Sequence, residues 1–153
     1  MTEDDRRKIE AAAARAPVRR AAAVEALRII QKSSGWVSDE DLRAAAGLVG
    51  MTVTELDGLA SFYSLIFRKP VGRHVILFCD SICCWIQGYE KIVDRLCSRL
   101  GIRPGETDRE GRFTLLPSPC LGACDHAPAM MVDGDLHGDL TPEGIEAVLE
   151  RYK

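Results

Sequence analysis

Apolar residues recur at helical spacing through the first 70 positions and switch to short strand-like runs afterwards. "DDRRKIEAAAARA" is rich in alanine and other good helix formers. Pro17 can open a second helix, in which Val24, Leu27 and Ile30 recur near a 3.6-residue period. Gly35 and Trp36 end that stretch. A third helix is predicted from Ser38, an N-cap with Asp41 three residues on. A fourth opens at Thr52, with Glu55 in capping-box spacing, and its pattern puts Leu56, Leu59, Phe62 and Tyr63 on one face. Residues 1–70 hold no cysteine and read as a small helical bundle whose apolar faces serve packing or docking.

The pattern changes at Lys69-Pro70. "RHVILFC" is a continuous apolar run, as in a strand of a sheet covered on both faces. "IQGYEKIVDRLCSRLG" reads as one amphipathic helix ending near Gly101. "GRFTLLPS" is a second strand, and "PAMMVDG" and "GDLHGDL" are short strands joined by an Asp-Gly or Gly-Asp turn. "TPEGIEAVLERYK" closes as a helix, with Thr141 as N-cap and Pro142 at its first position. The order β-α-β-β-β-α, with a right-handed crossover between parallel strands, fits a thioredoxin-like layer. The expected architecture is therefore α+β or α/β, with a helical bundle over 1–70 and a thioredoxin-like domain over 71–153.

Composition narrows the function classes. An apolar fraction of 46% with mixed charge is that of a core-forming chain rather than a disordered one. A formal charge of −3 argues against nucleic-acid binding, which needs clustered Lys and Arg, and the basic residues of "RAPVRR" are local. "MTEDDRRKIE" is charged where a signal peptide would be apolar, and no run approaches the roughly 20 residues of a membrane span. The expectation is a cytoplasmic protein without direct membrane insertion. Its six cysteines then point to metal or redox chemistry rather than to a disulfide framework.

Five of those cysteines fall in two groups, "CDSICC" after the first strand and "CLGAC" after the second. In a β-α-β unit both loops emerge at one edge of the sheet. Zinc favours closely spaced pairs, often C-x2-C. The spacings here are wider, C-x4-C and C-x3-C, as suits the larger [2Fe-2S] cluster held by four thiolates. Spacing alone separates the two only modestly, and it cannot choose between Cys83 and Cys84. Gly122 allows close approach of the backbone, and with Ala123 it can aim N–H groups at sulfur. Such donors matter, since a cluster with four thiolates carries about −2 when oxidised and about −3 when reduced. A dithiol oxidoreductase would need C-x-x-C, which the chain lacks.

Other chemistry-bearing residues have simpler readings. Cys97 beside Leu96 and Leu100 is a small core residue, and Met130 and Met131 are strand packing. His74, His126 and His137 are structural or loop histidines. Asp80 and Asp125 suit turn hydrogen bonds, and Glu106, Asp108 and Glu110 form an acidic surface stretch. No G-x-G-x-x-G or P-loop is present, so the chain is not expected to bind NADH itself.

"RHVILFCDSICCWIQGYEKI", "RFTLLPSPCLGACDHAPAMMVDGD" and "LTPEGIEAVLERYK", with "ASFYSLIF" and the Pro and "GRH" that follow it, resemble the small [2Fe-2S] subunits of NADH:quinone oxidoreductase, respiratory complex I, the bacterial E subunits. The likeness covers nearly the whole chain and is weakest at the extreme N-terminus. It implies cluster ligands Cys79, Cys84, Cys120 and Cys124, which settles the register in favour of Cys84 and leaves Cys83 as an extra thiol. It implies an electron-transfer subunit of an oxidoreductase that is not catalytic alone. Its expected partners are the FMN- and NADH-binding F subunit and the adjacent large iron-sulfur subunit, in the peripheral arm of a membrane-associated complex. The same small-subunit fold occurs in NAD-linked formate dehydrogenases and bidirectional hydrogenases, and a structural zinc module is a further alternative. "HAPAMMVDGD" also resembles the thioredoxin arrangement with a cis proline, Pro128, before the third strand.

Overall fold

The computed structural model describes residues 1–152, and Lys153, the last residue of the predicted C-terminal helix, lies outside them. The chain divides into two compact units, Met1–Pro70 and Val71–Lys153.

The first unit is helical: α1 Glu3–Arg15, α2 Ala23–Ser34, α3 Asp39–Val49 and α4 Val53–Phe62. Ile9, Leu27, Ile30, Leu42, Val49 and Leu56 meet in its core. The predicted caps form. Ser38 accepts from the Asp41 N–H, Thr52 and Glu55 make a reciprocal capping box, and Gly35 ends α2 in the left-handed region at φ 80°. Two expectations change. Pro17 does not open α2; a 3-10 turn at Arg19–Ala22 intervenes and the helix begins at Ala23. The α4 pattern overextends too, because the helix stops at Phe62: Leu56 is buried but Phe62 is 80% exposed, and Tyr63 is the extended C-cap.

A second capping box closes the start of α1. Buried Asp5 accepts from the Thr2 N–H at 2.9 Å and from the Ser33 hydroxyl at 2.9 Å, which ties α1 to α2. Burial pushes the Asp5 carboxyl upward, but the Thr2 and Ser33 donors outweigh it and hold the group below its ordinary value. A depressed folded-state value stabilises the fold above about pH 4, and that contribution fades as pH falls through the folded value. Asp5→Ala should cost about 1–3 kcal/mol at pH 7 by thermal or urea unfolding, and the deficit should shrink near pH 3. An equal deficit at both pH values would mean that the carboxylate charge contributes nothing.

The second unit holds β1 His74–Cys79, α5 Ile82–Ile86, α6 Tyr89–Leu100, β2 Phe113–Ser118, β3 Met130–Val132, β4 Asp135–His137 and α7 Ile145–Leu149. The sheet order is β2-β1-β3-β4. β1 and β2 run parallel, aligning Cys79 with Ser118, and β3 is antiparallel to both β1 and β4. Ile76, Phe78, Phe113, Leu115 and Met130 pack with Ile92 and Leu96 of α6 and Ile145 and Leu149 of α7. Cys97 packs at the margin of this cluster. Leu77, whose side chain alternates with these, is also buried. This is the thioredoxin-like arrangement that the element order predicts.

Local chemistry explains the boundaries. Asp133 and Gly134, both at positive φ, turn β3 into β4. Gly88, at φ 81°, delays the predicted helix, which starts at Tyr89 as α6, and the residues ahead of it form an unpredicted short helix, α5, containing Cys83 and Cys84. Thr141 accepts from the Gly144 N–H at 3.2 Å, but this closes a turn, and α7 starts only at Ile145. The outer edge of β2 is occupied by residues 105–108: the Gly105 N–H donates to the Leu115 carbonyl, the Leu115 N–H to Glu106, and the Asp108 N–H to Phe113. The expected acidic stretch thus builds this segment, with Asp108 also accepting from the Arg112 N–H at 2.6 Å and Glu106 from the Arg103 N–H at 2.9 Å.

Candidate iron-sulfur site

Parallel pairing of β1 and β2 brings both cysteine loops to one end of the sheet. Cys79 is the last residue of β1, and its N–H donates to the Ala129 carbonyl at 3.1 Å. The Asp80 N–H donates to the Ser118 carbonyl at 3.1 Å, which holds the start of one loop against the start of the other. Cys120 lies just beyond β2, and Cys124 opens a 3-10 turn, Cys124–His126.

The thiols differ in surroundings. Cys79 and Cys84 are buried, 4% and 2% exposed, and they cluster with Ala123 and Ala129, flanked by Tyr89, Leu121 and Ala127. Cys120 and Cys124 are exposed and Cys83 is half-buried. Burial pushes the Cys84 thiol up to about 11; a hydrogen bond from the Ala129 N–H opposes this, while the hydrogen bond with Cys79 and the charges of Cys79 and Cys124 add to it. Cys124 is raised chiefly by its hydrogen bond with Cys83 and the charge there, and further by Cys120 and Cys79. Crowded thiols whose negative forms repel one another hold their protons, and iron binding would release them.

Backbone donors also face the sulfurs. The Gly122 N–H donates to the Cys120 sulfur at 3.3 Å, with Gly122 at φ 75°. The Ala127–Pro128 bond is cis, and the Ala129 N–H just beyond it meets Cys84. A Cβ on Gly122 would meet nothing within 4 Å, so the need for glycine is conformational rather than steric. Gly122→Ala should therefore cost about 1–2 kcal/mol for the left-handed backbone. Denaturant melts of the cluster-free protein would show this loss, and an unchanged midpoint would mean that the loop relaxes out of that conformation freely.

Among the described residues, no three His, Cys, Asp or Glu side chains gather as a single ion would need. A two-iron cluster does not need such a gathering, because its four thiolates divide between two metals. Cys79 and Cys84, packed together, with Cys120 and Cys124 of the facing loop and the Gly122 N–H, are a donor set that fits such a group.

The remaining candidates turn elsewhere. His126 bonds Asp139 at 2.8 Å and is raised by that contact and by Asp125. His74 bonds Asp133, and the His137 Nε2 meets the Tyr152 hydroxyl at 2.8 Å. Met130 is fully buried in the sheet core and Met131 is half-buried opposite Leu77. The packing of Ala129 against Cys79 and Cys84 is not foreseen from the sequence.

The fold and the paired cysteine loops define a ferredoxin built on a thioredoxin-like layer. The chain belongs to the thioredoxin-like [2Fe-2S] ferredoxin family, which it matches over residues 9–153, and a [2Fe-2S] cluster is the cofactor this family implies. It is 54% identical over 134 residues to the E subunit of the NADH-quinone oxidoreductase of Escherichia coli (strain K12), covering 88% of this chain and 81% of that protein. The corresponding E subunit of Pseudomonas aeruginosa is 51% identical over 133 residues, covering 87% and 80%. Among solved structures, NAD+-reducing [NiFe]-hydrogenase in the air-oxidized state aligns with a TM-score of 0.74 and 24% identity, over 86% of this chain and 22% of that one. At that identity the likeness bears on the fold alone.

Proposed function

We propose that this chain is the small electron-carrying subunit of an NADH:quinone oxidoreductase, with Cys79, Cys84, Cys120 and Cys124 holding a [2Fe-2S] cluster that exchanges electrons with the FMN of an NADH-oxidising F subunit. The observation that carries this reading is the meeting of the two cysteine loops at the shared end of β1 and β2, in a chain 54% identical to the E subunit of such a complex.

When bound, the cluster supplies one-electron redox chemistry. The chain's own residues set its surroundings. The Cys79 and Cys84 side is closed by Ala123, Ala129, Tyr89 and Leu121, which exclude water. The Gly122 and Ala129 N–H groups place positive dipole ends at the Cys120 and Cys84 sulfurs, where they offset negative charge that burial would penalise. Exposed Cys120 and Cys124 leave the opposite side accessible, which suits exchange of electrons with a group on a neighbouring subunit.

No helix among the described residues is long and apolar enough to cross a membrane. We place the chain in the peripheral arm on the cytoplasmic side, against the F subunit and beside the large iron-sulfur subunit. The test is a visible and EPR spectrum of the purified protein with native mass spectrometry of the complex. A brown, reducible protein that travels with a flavin-bearing subunit is expected, and a colourless protein that binds one zinc ion would overturn the reading.

A further inference from the structure

We propose that Gly138 and Asp139 are positioning residues for Cys124, which clasp the far end of the second cysteine loop so that the cluster is held tightly and at a fixed potential. The inference rests on the ligand set proposed above and adds to it two residues that touch no metal.

The loop leaves β2 after Ser118 and rejoins the sheet at Met130. Among the described residues, no backbone hydrogen bond links residues 119–125 to another element. The Cys124–His126 turn is closed by the His126 N–H, which donates to the Ala123 carbonyl at 3.1 Å. What holds that turn comes from the segment just after β4. The Asp139 N–H donates to the His126 carbonyl at 2.7 Å, the Asp139 carboxylate bonds the His126 Nδ1 at 2.8 Å, and the Leu140 N–H donates to the Pro128 carbonyl at 3.1 Å. Leu140 is itself buried in the sheet core, so the segment is anchored beyond the contact. The Ala129 carbonyl accepts from the Cys79 N–H at 3.1 Å, which carries the same run of backbone back to the first loop.

Both residues suit the contact. A Cβ built on Gly138 would overlap the His126 Cβ and lie 2.9 Å from the His126 carbonyl oxygen. Glycine is needed there for close approach, in contrast to Gly122, where it is needed for conformation. Asp139 is left-handed at φ 51°, a conformation that Asp and Asn accept more readily than other residues with side chains. That bend lets its N–H and its carboxylate meet one residue, His126. Partners that orient metal ligands from behind typically change metal affinity or activity about 10–100-fold when lost. Solvent access is among the factors that set a cluster's potential. A turn released from Asp139 would let Cys124 shift and would admit water.

The test compares G138A, D139A and D139N with the wild type, each reconstituted anaerobically with ferrous iron and sulfide. Cluster loss to EDTA, the midpoint potential and the EPR of the reduced protein are measured, with amide hydrogen exchange of the cluster-free chains by NMR. In G138A the cluster should be lost about 10-fold faster, with a displaced potential and altered g-values. D139A should change in the same direction. D139N keeps an acceptor for His126 and the left-handed bend, and should stay close to the wild type. G138A with wild-type loss rate, potential and EPR would overturn the proposal. A lowered unfolding midpoint with unchanged potential and g-values would show a structural role only and would likewise overturn it. Should G138A not fold, D139A against D139N decides: D139A indistinguishable from D139N and the wild type would refute the clasp. Failure of the underlying ligand set looks different, because the wild type itself would then take up no [2Fe-2S] cluster. In that case exchange in the cluster-free chain judges the clasp, and Asp139 and Leu140 amides as open as those of an unbonded loop would refute it.

Discussion

A Cys84→Ser protein should emerge from reconstitution nearly colourless, with iron and sulfide reduced to a small fraction of one cluster per chain, while Cys83→Ser should load normally. Adjacent residues of one short helix would thus behave oppositely. The Cys84 side chain is 2% exposed and paired with Cys79, in a pocket of alanines that offers no alternative sulfur. Serine there would bury a hydroxyl that surrenders its proton far less readily than a thiol. Cys83, the preceding residue of α5, leaves the helix about 100° away and is only half-buried, outside that pocket. Iron and acid-labile sulfide analysis of the two variants, with circular dichroism to verify folding, is the measurement. Comparable iron loss in both would undo the proposed register, and loss in Cys83→Ser alone would move the first ligand pair to Cys79 and Cys83.

The second large effect concerns the electron donor. Cluster-loaded protein mixed anaerobically with NADH should keep its visible bands and remain EPR-silent, and addition of the flavin-bearing F subunit should bring bleaching and the signal of a reduced [2Fe-2S] centre. Nothing in the sequence follows a strand with G-x-G-x-x-G or forms a P-loop. The ends of β1 and β2, where a nucleotide would sit in many α/β proteins, are taken by the cysteine loops. Hydride transfer from NADH moves two electrons and needs an acceptor such as flavin, whereas the cluster takes one electron at a time. Stopped-flow absorbance with and without the partner would measure the difference. Bleaching by NADH alone at a comparable rate would require a nucleotide site on this chain and would remove the need for an intermediary flavin.

Much of this was legible where the determinants are local. The Thr52–Glu55 capping box, the Ser38 cap, the Asp133–Gly134 turn and the apolar β1 strand depend on residues a few positions apart, and each formed as the pattern predicted. The proposed ligand register rests on the family resemblance, because spacing does not choose between Cys83 and Cys84. Harder to read were places where two local signals compete. The predicted helix starts at Ile86, yet the left-handed Gly88 starts it at Tyr89, and α5 ahead of it is not predicted. Thr141 has the chemistry of an N-cap but spends it on a turn, since Gly144 can end that turn before α7 starts. Phe62 continues an apolar face after its helix has run out. The packing of Cys84 on Ala123 of the second cysteine loop is tertiary, and no periodicity encodes it.

The strip of residues 105–108 along β2 has a consequence for the protein before it meets either cofactor or neighbour. An open β-edge is a template on which another molecule can add a strand, and newly made, cluster-free chains are the population most exposed to that hazard. On the β2 side the template is already filled by the chain's own backbone, through Gly105, Glu106 and Asp108, and Pro117 near the end of the strand has no N–H to offer. On the other side, β4 is only three residues long, too short to nucleate a lasting intermolecular ladder. A chain that must wait for iron, sulfide and an assembly partner therefore carries its own protection against self-association, written into an acidic loop that holds no cysteine.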